Sequence, residues 1–327
     1  MIRRRQLLLL VLPPLLLLLR PGRAAEAGDA RACIQLFDAQ SYEEAGACLA
    51  AGAAQRPGDA QVEAYLGRVY FEQHRSRQAI EWLKKAVAHE PRRSEYHDWL
   101  GRAYGIAAEH APVVRQLGLA LRVKAELEHA VELDPANLDA REDLIEFQIR
   151  APALLGGSLD KARANAAELG RRDRLRGQLA HAEIARRQLG LPAAERELRA
   201  AAAEFPADPR PWIALGAACR EAGLHERSFA ALDAALRLDA DNADAVHEFA
   251  ATAARSGQRL ERAEELLTRR LEHLPAGDGP GLADSHYGLG TLLERQGDLG
   301  RAREHYLAAL RRDPASTAAR DALHRLP

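Results

Sequence analysis

Aromatic residues make up only 5% of this 327-residue chain, its single methionine is Met1, and it holds three cysteines. None of its twelve histidines falls in an H-E-x-x-H motif or in a Cys/His zinc spacing, so the sequence-readable zinc sites are excluded. A surplus of positive charge is missing too. The formal net charge is −1, which gives no electrostatic reason to expect nucleic acid or anionic lipid as a partner. The long apolar run, Leu7 to Leu19, is broken by Pro13-Pro14 and is short for a membrane span. No cysteine stands directly behind that run. Cys33 lies well past it, after Arg31-Ala32, which argues against lipidation.

What the chain has in quantity is Ala, Leu, Arg and Glu, the composition of a helical protein. Residues 1–24 differ from the rest. A basic MIRRRQ, the apolar run and the small residues Ala24, Ala25 and Ala27 form the pattern of a secretory signal. Cleavage after Ala24 removes five arginines and leaves 41 basic against 47 acidic residues, a net charge of −6. The expected location is the periplasm or outside the cell, with no direct membrane binding once the signal is gone. The alternative is an uncleaved segment that anchors the chain in a membrane.

The remainder repeats. Gly67 recurs as Gly101, and Ala182 recurs as Gly216 and Ala250, all at one and the same spacing. The frames around them read YLGRVY, WLGRAY and ALGAAC, with YGLGTLL at 287–293. Further along each unit stand a small residue, a bulky one, a small one and a proline: Ala79, Leu83, Ala86, Pro91; Ala194, Leu198, Ala201, Pro206; Ala302, Tyr306, Ala309, Pro314. The pattern, with its period of about 34 residues, resembles the tetratricopeptide repeat, a helix–turn–helix unit. The resemblance covers nearly all of residues 28–327, in eight units starting near Glu26, Ala60, Ser94, Leu138, Leu175, Pro209, Ala243 and Ala283. It implies an all-α fold, an α-solenoid coiled into a right-handed superhelix, with units one to four over 25–174 and units five to eight over 175–327. Three units are irregular. The third is lengthened within 105–121, the fourth carries APALLGGS at 151–158, and the seventh is followed by AGDGPG at 276–281.

A unit of two helices cannot bury its apolar faces alone and must stack on its neighbours. Gly67, Gly101, Gly216 and Gly290 therefore read as packing positions, where the second helix crosses the first. This answers the pair Gly288-Leu289-Gly290, which has no strand before it and so makes no phosphate loop. Gly156-Gly157-Ser158 lacks the last glycine and the preceding strand of a nucleophile elbow, and reads as a turn. His286 and His305, on antiparallel helices of unit eight, read as surface histidines or a metal pair, with the surface reading preferred. No catalytic residues, cofactor or metal is expected, and an enzyme working through 105–121 and 151–158 stands as a distant alternative. Cys33 and Cys48 fall level across the first hairpin, so a disulfide is expected in an oxidising compartment; two buried thiols are the alternative. Cys219 reads as a small core residue.

In tetratricopeptide arrays the first helices line a groove that takes peptides or partner proteins. The matching positions here include Arg68, Phe71, Arg102, Ile106, Asp139, Glu142, Glu146, Arg186, Arg187, Arg210, Arg220, His247, Arg255, Tyr287 and Arg295. The asparagine and lysine clamp for chaperone tails is absent. The later half is rich in arginine, with Glu183, Glu221 and Glu294 interleaved, which would suit an acidic peptide or a terminal carboxylate. A solvated charged face is the other reading. The expected function is a non-catalytic scaffold that binds proteins or peptides in the cell envelope.

Overall fold

The structure, a computed structural model, describes residues 29–109, 111–274 and 280–327, and the side chain of Pro280 is not described. The apolar segment 7–19, the cleavage site after Ala24 and the start proposed near Glu26 lie outside the described residues, as does most of the 276–281 linker. Every regular element among the described residues is helical. Seventeen α-helices and one 3-10 turn follow one another as eight antiparallel pairs and a last single helix.

The pairs are α1 (Ala30–Asp38) with α2 (Tyr42–Gln55), α3 (Ala60–Glu72) with α4 (Ser76–His89), and α5 (Ser94–Glu109) with α6 (Val113–Leu133). Next come α7 (Leu138–Arg150) with α8 (Leu159–Arg172), α9 (Arg174–Leu189) with α10 (Leu191–Glu204), and α11 (Arg210–Glu221) with α12 (His225–Leu238). The last are α13 (Ala243–Ser256) with α14 (Leu260–His273) and α15 (Pro280–Gln296) with α16 (Leu299–Arg312). The single helix α17 (Thr317–Arg325) was not foreseen as a separate element. It buries Ala319 and Ala322, and Ala322 packs with Leu293, Ala302 and Tyr306 of the eighth pair.

The turn chemistry explains where helices begin. After the proline that ends a second helix, a short polar residue two or three places on caps the next first helix. Asn137 accepts from the Ala140 N–H at 3.0 Å, Asp59 from Val62 at 3.2 Å and Ser316 from Ala319 at 3.2 Å. Within each pair the space beside the small residues is filled. An added Cβ would meet Leu83 at 2.6 Å from Gly67, Leu127 at 2.9 Å from Gly101, Leu232 at 2.6 Å from Gly216 and Tyr306 at 2.6 Å from Gly290. Those leucines and the tyrosine are buried, so the glycines are where second helices touch first helices.

The irregular segments take definite forms. The extra length of unit three extends helices rather than makes a loop: α5 has 16 residues and α6 has 21, against 13 and 14 in α3 and α4. Residues 151–158 form the 3-10 turn Ala153–Leu155 and a tight bend. There Gly157 faces the Ala151 carbonyl oxygen so closely that a Cβ would overlap it. Ser158 is the cap of α8: its Oγ accepts from the Lys161 N–H at 3.3 Å. Cys33 and Cys48 form a disulfide between α1 and α2, with their Cα atoms 5.4 Å apart, and Cys219 is buried and free. The array also curls back on itself. His74, in the turn after α3, lies 3.7 Å from Asp313, which follows α16. A cleft of about 630 Å³ runs along this seam, lined by Glu72, Arg75, Arg311 and Pro314 among others.

Candidate protein-interaction surface

The first helices of successive pairs stand side by side, and polar side chains link each to the next. Arg68 of α3 donates to Glu95 of α5 at 3.3 Å. Arg102 of α5 donates to Asp143 of α7 at 2.5 Å. Arg176 of α9 reaches back to Asp139 at 2.6 Å and to Glu142 on α7. Arg186 of α9 pairs with Glu221 of α11 at 2.8 Å, and Arg220 of α11 with Glu248 of α13 at 2.9 Å. His247 of α13 lies 3.4 Å from the Ser285 hydroxyl of α15. The links form a ladder from unit two to unit eight.

At the N-terminal end the ladder becomes an aromatic stack. The Arg68 guanidinium lies 4.6, 4.5 and 4.6 Å from the ring centres of Phe37, Tyr65 and Trp99. Arg102 covers Trp99 at 4.8 Å, and Phe71 meets the same indole edge-on at 5.2 Å. Cation–π contacts of this kind strengthen as they lose water, and the Arg68 side chain is 17% exposed.

These positions give a more divided picture than a uniform basic channel. Arg68, Arg102, Arg186 and Arg220 are engaged by their own chain. Arg186 also pairs with Glu183 in its own helix, and Arg210 is held by Asp208 in the turn before α11. Arg187, Arg255 and Arg295 are exposed. Tyr287 is half-buried beside Tyr306, and Ile106 is half-buried. Carboxylates on the neighbouring first helix take Arg68, Arg102, Arg176, Arg186 and Arg220.

Two clusters, one buried and one half-buried, have shifted protonation. Burial pushes the Asp98 carboxyl up to about 7, against the lowering effect of Arg102 and with Asp143 adding to the rise. His97, beside it in sequence, has its Nδ1 2.6 Å from Glu126 and its Nε2 3.0 Å from the Pro91 carbonyl. Burial alone would lower its pKa, but the hydrogen bonds to Glu126 and Pro91 leave it raised. His286 and His305 do meet, with their Nδ1 atoms 3.1 Å apart, and both are half-buried rather than surface groups. Burial and the charge of His305 push His286 down to about 4. Burial and Arg301 lower His305 as well, so at neutral pH one neutral ring donates to the other. Among the described residues no group of three or more His, Cys, Asp or Glu is arranged to hold a metal ion.

Sequence reasoning did not find the ladder partner Arg176, the aromatic stack on Arg68 or the seam between His74 and Asp313. It singled out both inserted segments, but not that they line one groove, which joins Ala108 and Ala120 to Pro152 and Leu155.

Repeated helix pairs, small residues at the crossings and a linked face of first helices define a repeat scaffold. The tetratricopeptide-repeat pattern matches residues 36–103, 179–243 and 247–317, together more than half of the chain. The chain belongs to the tetratricopeptide-repeat proteins. No curated protein sequence matches it. Among solved structures it is similar to yeast Tom70, at 14% identity and a TM-score of 0.61, over 93% of this chain and 64% of that one. It is also similar to TTC0263, a thermophilic TPR protein of Thermus thermophilus, at 22% identity over 58% of this chain and 96% of that one, with a TM-score of 0.48. At 14% identity the likeness to Tom70 is one of fold.

Proposed function

We propose that this chain is a non-catalytic scaffold in the cell envelope, exported with loss of residues 1–24, that binds partner proteins or peptides. The observation that carries the reading is the face of first helices. Seven of them are tied laterally into one surface, and the exposed Arg187, Arg255 and Arg295 remain to meet a partner. A pre-ordered surface loses little conformational freedom on binding. The Cys33–Cys48 bridge favours an oxidising compartment. The alternative is an assembly subunit held in the membrane by an uncleaved Leu7–Leu19 segment. Affinity capture from envelope extract, with wild type beside an Arg187→Glu, Arg255→Glu, Arg295→Glu variant, tests the groove: a partner retained equally by both ends the basic-groove reading. Mass spectrometry of the N-terminus separates the two locations, since an intact Met1 in membrane fractions rejects cleavage.

A further inference from the structure

The two places where the chain departs most from its repeat period meet in space. The ends of α5 and α7, the middle of α6 and the 3-10 turn border a groove of about 430 Å³. Ile106, Ala108, Ala120, Val123, Phe147 and Leu155 make its lining mostly apolar. On the α6 side the apolar surface continues outward. Val113, Leu117 and Leu121 stand at i, i+4 and i+8, one face of the helix, and are 79%, 48% and 48% exposed. Val114 and, from the 3-10 turn, Leu154 are more exposed than either leucine. Half of the exposed large hydrophobic residues of the described chain therefore fall in two short inserted segments. Scattered surface leucines need no explanation, whereas a contiguous patch marks an interaction site.

Glycine placement is a second, separate observation. The glycines at the helix crossings are faced by leucine or tyrosine, but Gly105 in α5 and Gly118 in α6 have nothing within 4 Å of where a Cβ would stand. A glycine inside a helix costs stability against alanine, and no part of the described chain uses the space. Gly105 lines the groove, whereas Gly118, by the 100° step of the helix, lies on the far side of α6 from Ala120 and Leu127. At the groove, Gly105 leaves room for another backbone to approach closely.

The lining sets three carboxylates, Glu109, Asp143 and Glu146, against Arg102 and Arg150, a net charge of −1. Of its carboxylates, Asp143 is taken by Arg102 and Glu146 by Arg150. Glu109 is exposed and has no ion-pair partner among the described residues. It is also the last residue of α5, where the negative end of the helix dipole disfavours a carboxylate. An incoming cation relieves both.

We propose that this groove docks an amphipathic α-helix of a partner protein, with a leucine-type stripe against Leu117, Leu121 and the groove lining and a lysine or arginine at Glu109. The proposal rests on the scaffold reading and names where and what it binds. A helix fits better than an extended peptide because the groove is walled by helix flanks and offers no sheet edge to pair with a strand's N–H and C=O groups. The test is titration of the full chain with a labelled synthetic helix of about five turns, carrying leucines at every third and fourth position and lysines at one end. The same peptide with glutamates in place of the lysines is the control. The lysine-ended helix is expected to bind at least about tenfold tighter. The Leu117→Glu, Leu121→Glu variant is expected to lose that binding while keeping the wild-type helical signal and melting, because both side chains are exposed. Glu109→Lys is expected to remove the preference for lysine. Equal binding of the two peptides, or binding unchanged by the double variant, overturns the proposal. Light scattering that shows a dimer in the wild type and a monomer in the double variant overturns it in favour of a second copy as occupant. The scaffold reading fails separately, in the capture experiment, which does not use these peptides.

Discussion

Gly177 packs its backbone against Gly170: a Cβ on Gly177 would overlap the Gly170 Cα and stand 2.7 Å from its nitrogen. The junction between α8 and α9 is the single residue Asp173, so the two helices leave it already in contact. Elsewhere the nearest atoms to the crossing glycines belong to a leucine or tyrosine side chain. Here the neighbour is backbone. Gly177→Ala is expected to destabilise the array by roughly 1–3 kcal/mol, and more than Gly67→Ala, where the nearest atoms are those of the Leu83 side chain. Denaturant unfolding of the two variants checks the order.

Gly118 gives the opposite expectation. Its Cβ position is open and it lies within α6. Gly118→Ala is expected to stabilise the protein by about 0.5–1 kcal/mol through helix propensity and a less flexible unfolded chain. An unchanged or lower melting temperature would contradict it.

The Asp98 carboxyl is raised by burial to about 7 in the folded chain, from an ordinary value of 3.8. Between those values the folded state binds the proton more tightly, so stability falls as pH rises from about 4 to 7. His97 adds to this trend at higher pH. Its folded pKa lies above the ordinary 6.5, so its contribution is complete below that value and is lost as pH rises past the folded one. Asp98→Asn is expected to flatten the stability profile between about pH 4 and 7. Unfolding midpoints measured across that range decide it, and identical slopes in variant and wild type would refute the assignment.

The cysteines predict a count. Denatured, unreduced protein is expected to show one free thiol per chain, that of Cys219, and reduced protein three. Closing a loop of about 15 residues is worth about 3 kcal/mol in the chain-entropy model. Reductant is therefore expected to destabilise the first hairpin by an amount of that order, read as earlier hydrogen exchange in α1 and α2 than in α3.

The seam between His74 and Asp313 closes the array with a contact exposed on its histidine side, and surface pairs contribute about 0–1 kcal/mol. Asp313 also caps its own turn, accepting from the Ala315 N–H at 2.9 Å, so His74 is the cleaner partner to change. His74→Glu places a carboxylate against Asp313 and near Glu72. It is expected to leave helix content intact and raise the radius of gyration in small-angle scattering. An unchanged radius would mean that the curl is set by unit stacking alone.

The fold was legible because a repeat states itself many times. Gly67, Gly101, Gly216 and Gly290 recur with their partners Leu83, Leu127, Leu232 and Tyr306, and each pairing is local to one hairpin. The bridge between Cys33 and Cys48 was legible for the same reason, since both lie on one hairpin of known turn. The serine of GGS needed the structure to show its work: Ser158 caps α8 and its Oγ is spent on Lys161.

By itself the sequence determined the unit: its period, its helix ends and the small residues at each crossing, all set within one repeat of covalent chain. The tertiary structure decided what lies between units. Whether Arg186 and Arg220 are free or paired depends on the rotation of α9, α11 and α13 about their axes, where one residue is worth about 100°. That the segments at 105–121 and 151–158 share one groove, and that His74 reaches Asp313, depends on the summed twist of stacked pairs. Small angles at each interface add along the array, and no single stretch of sequence records their total.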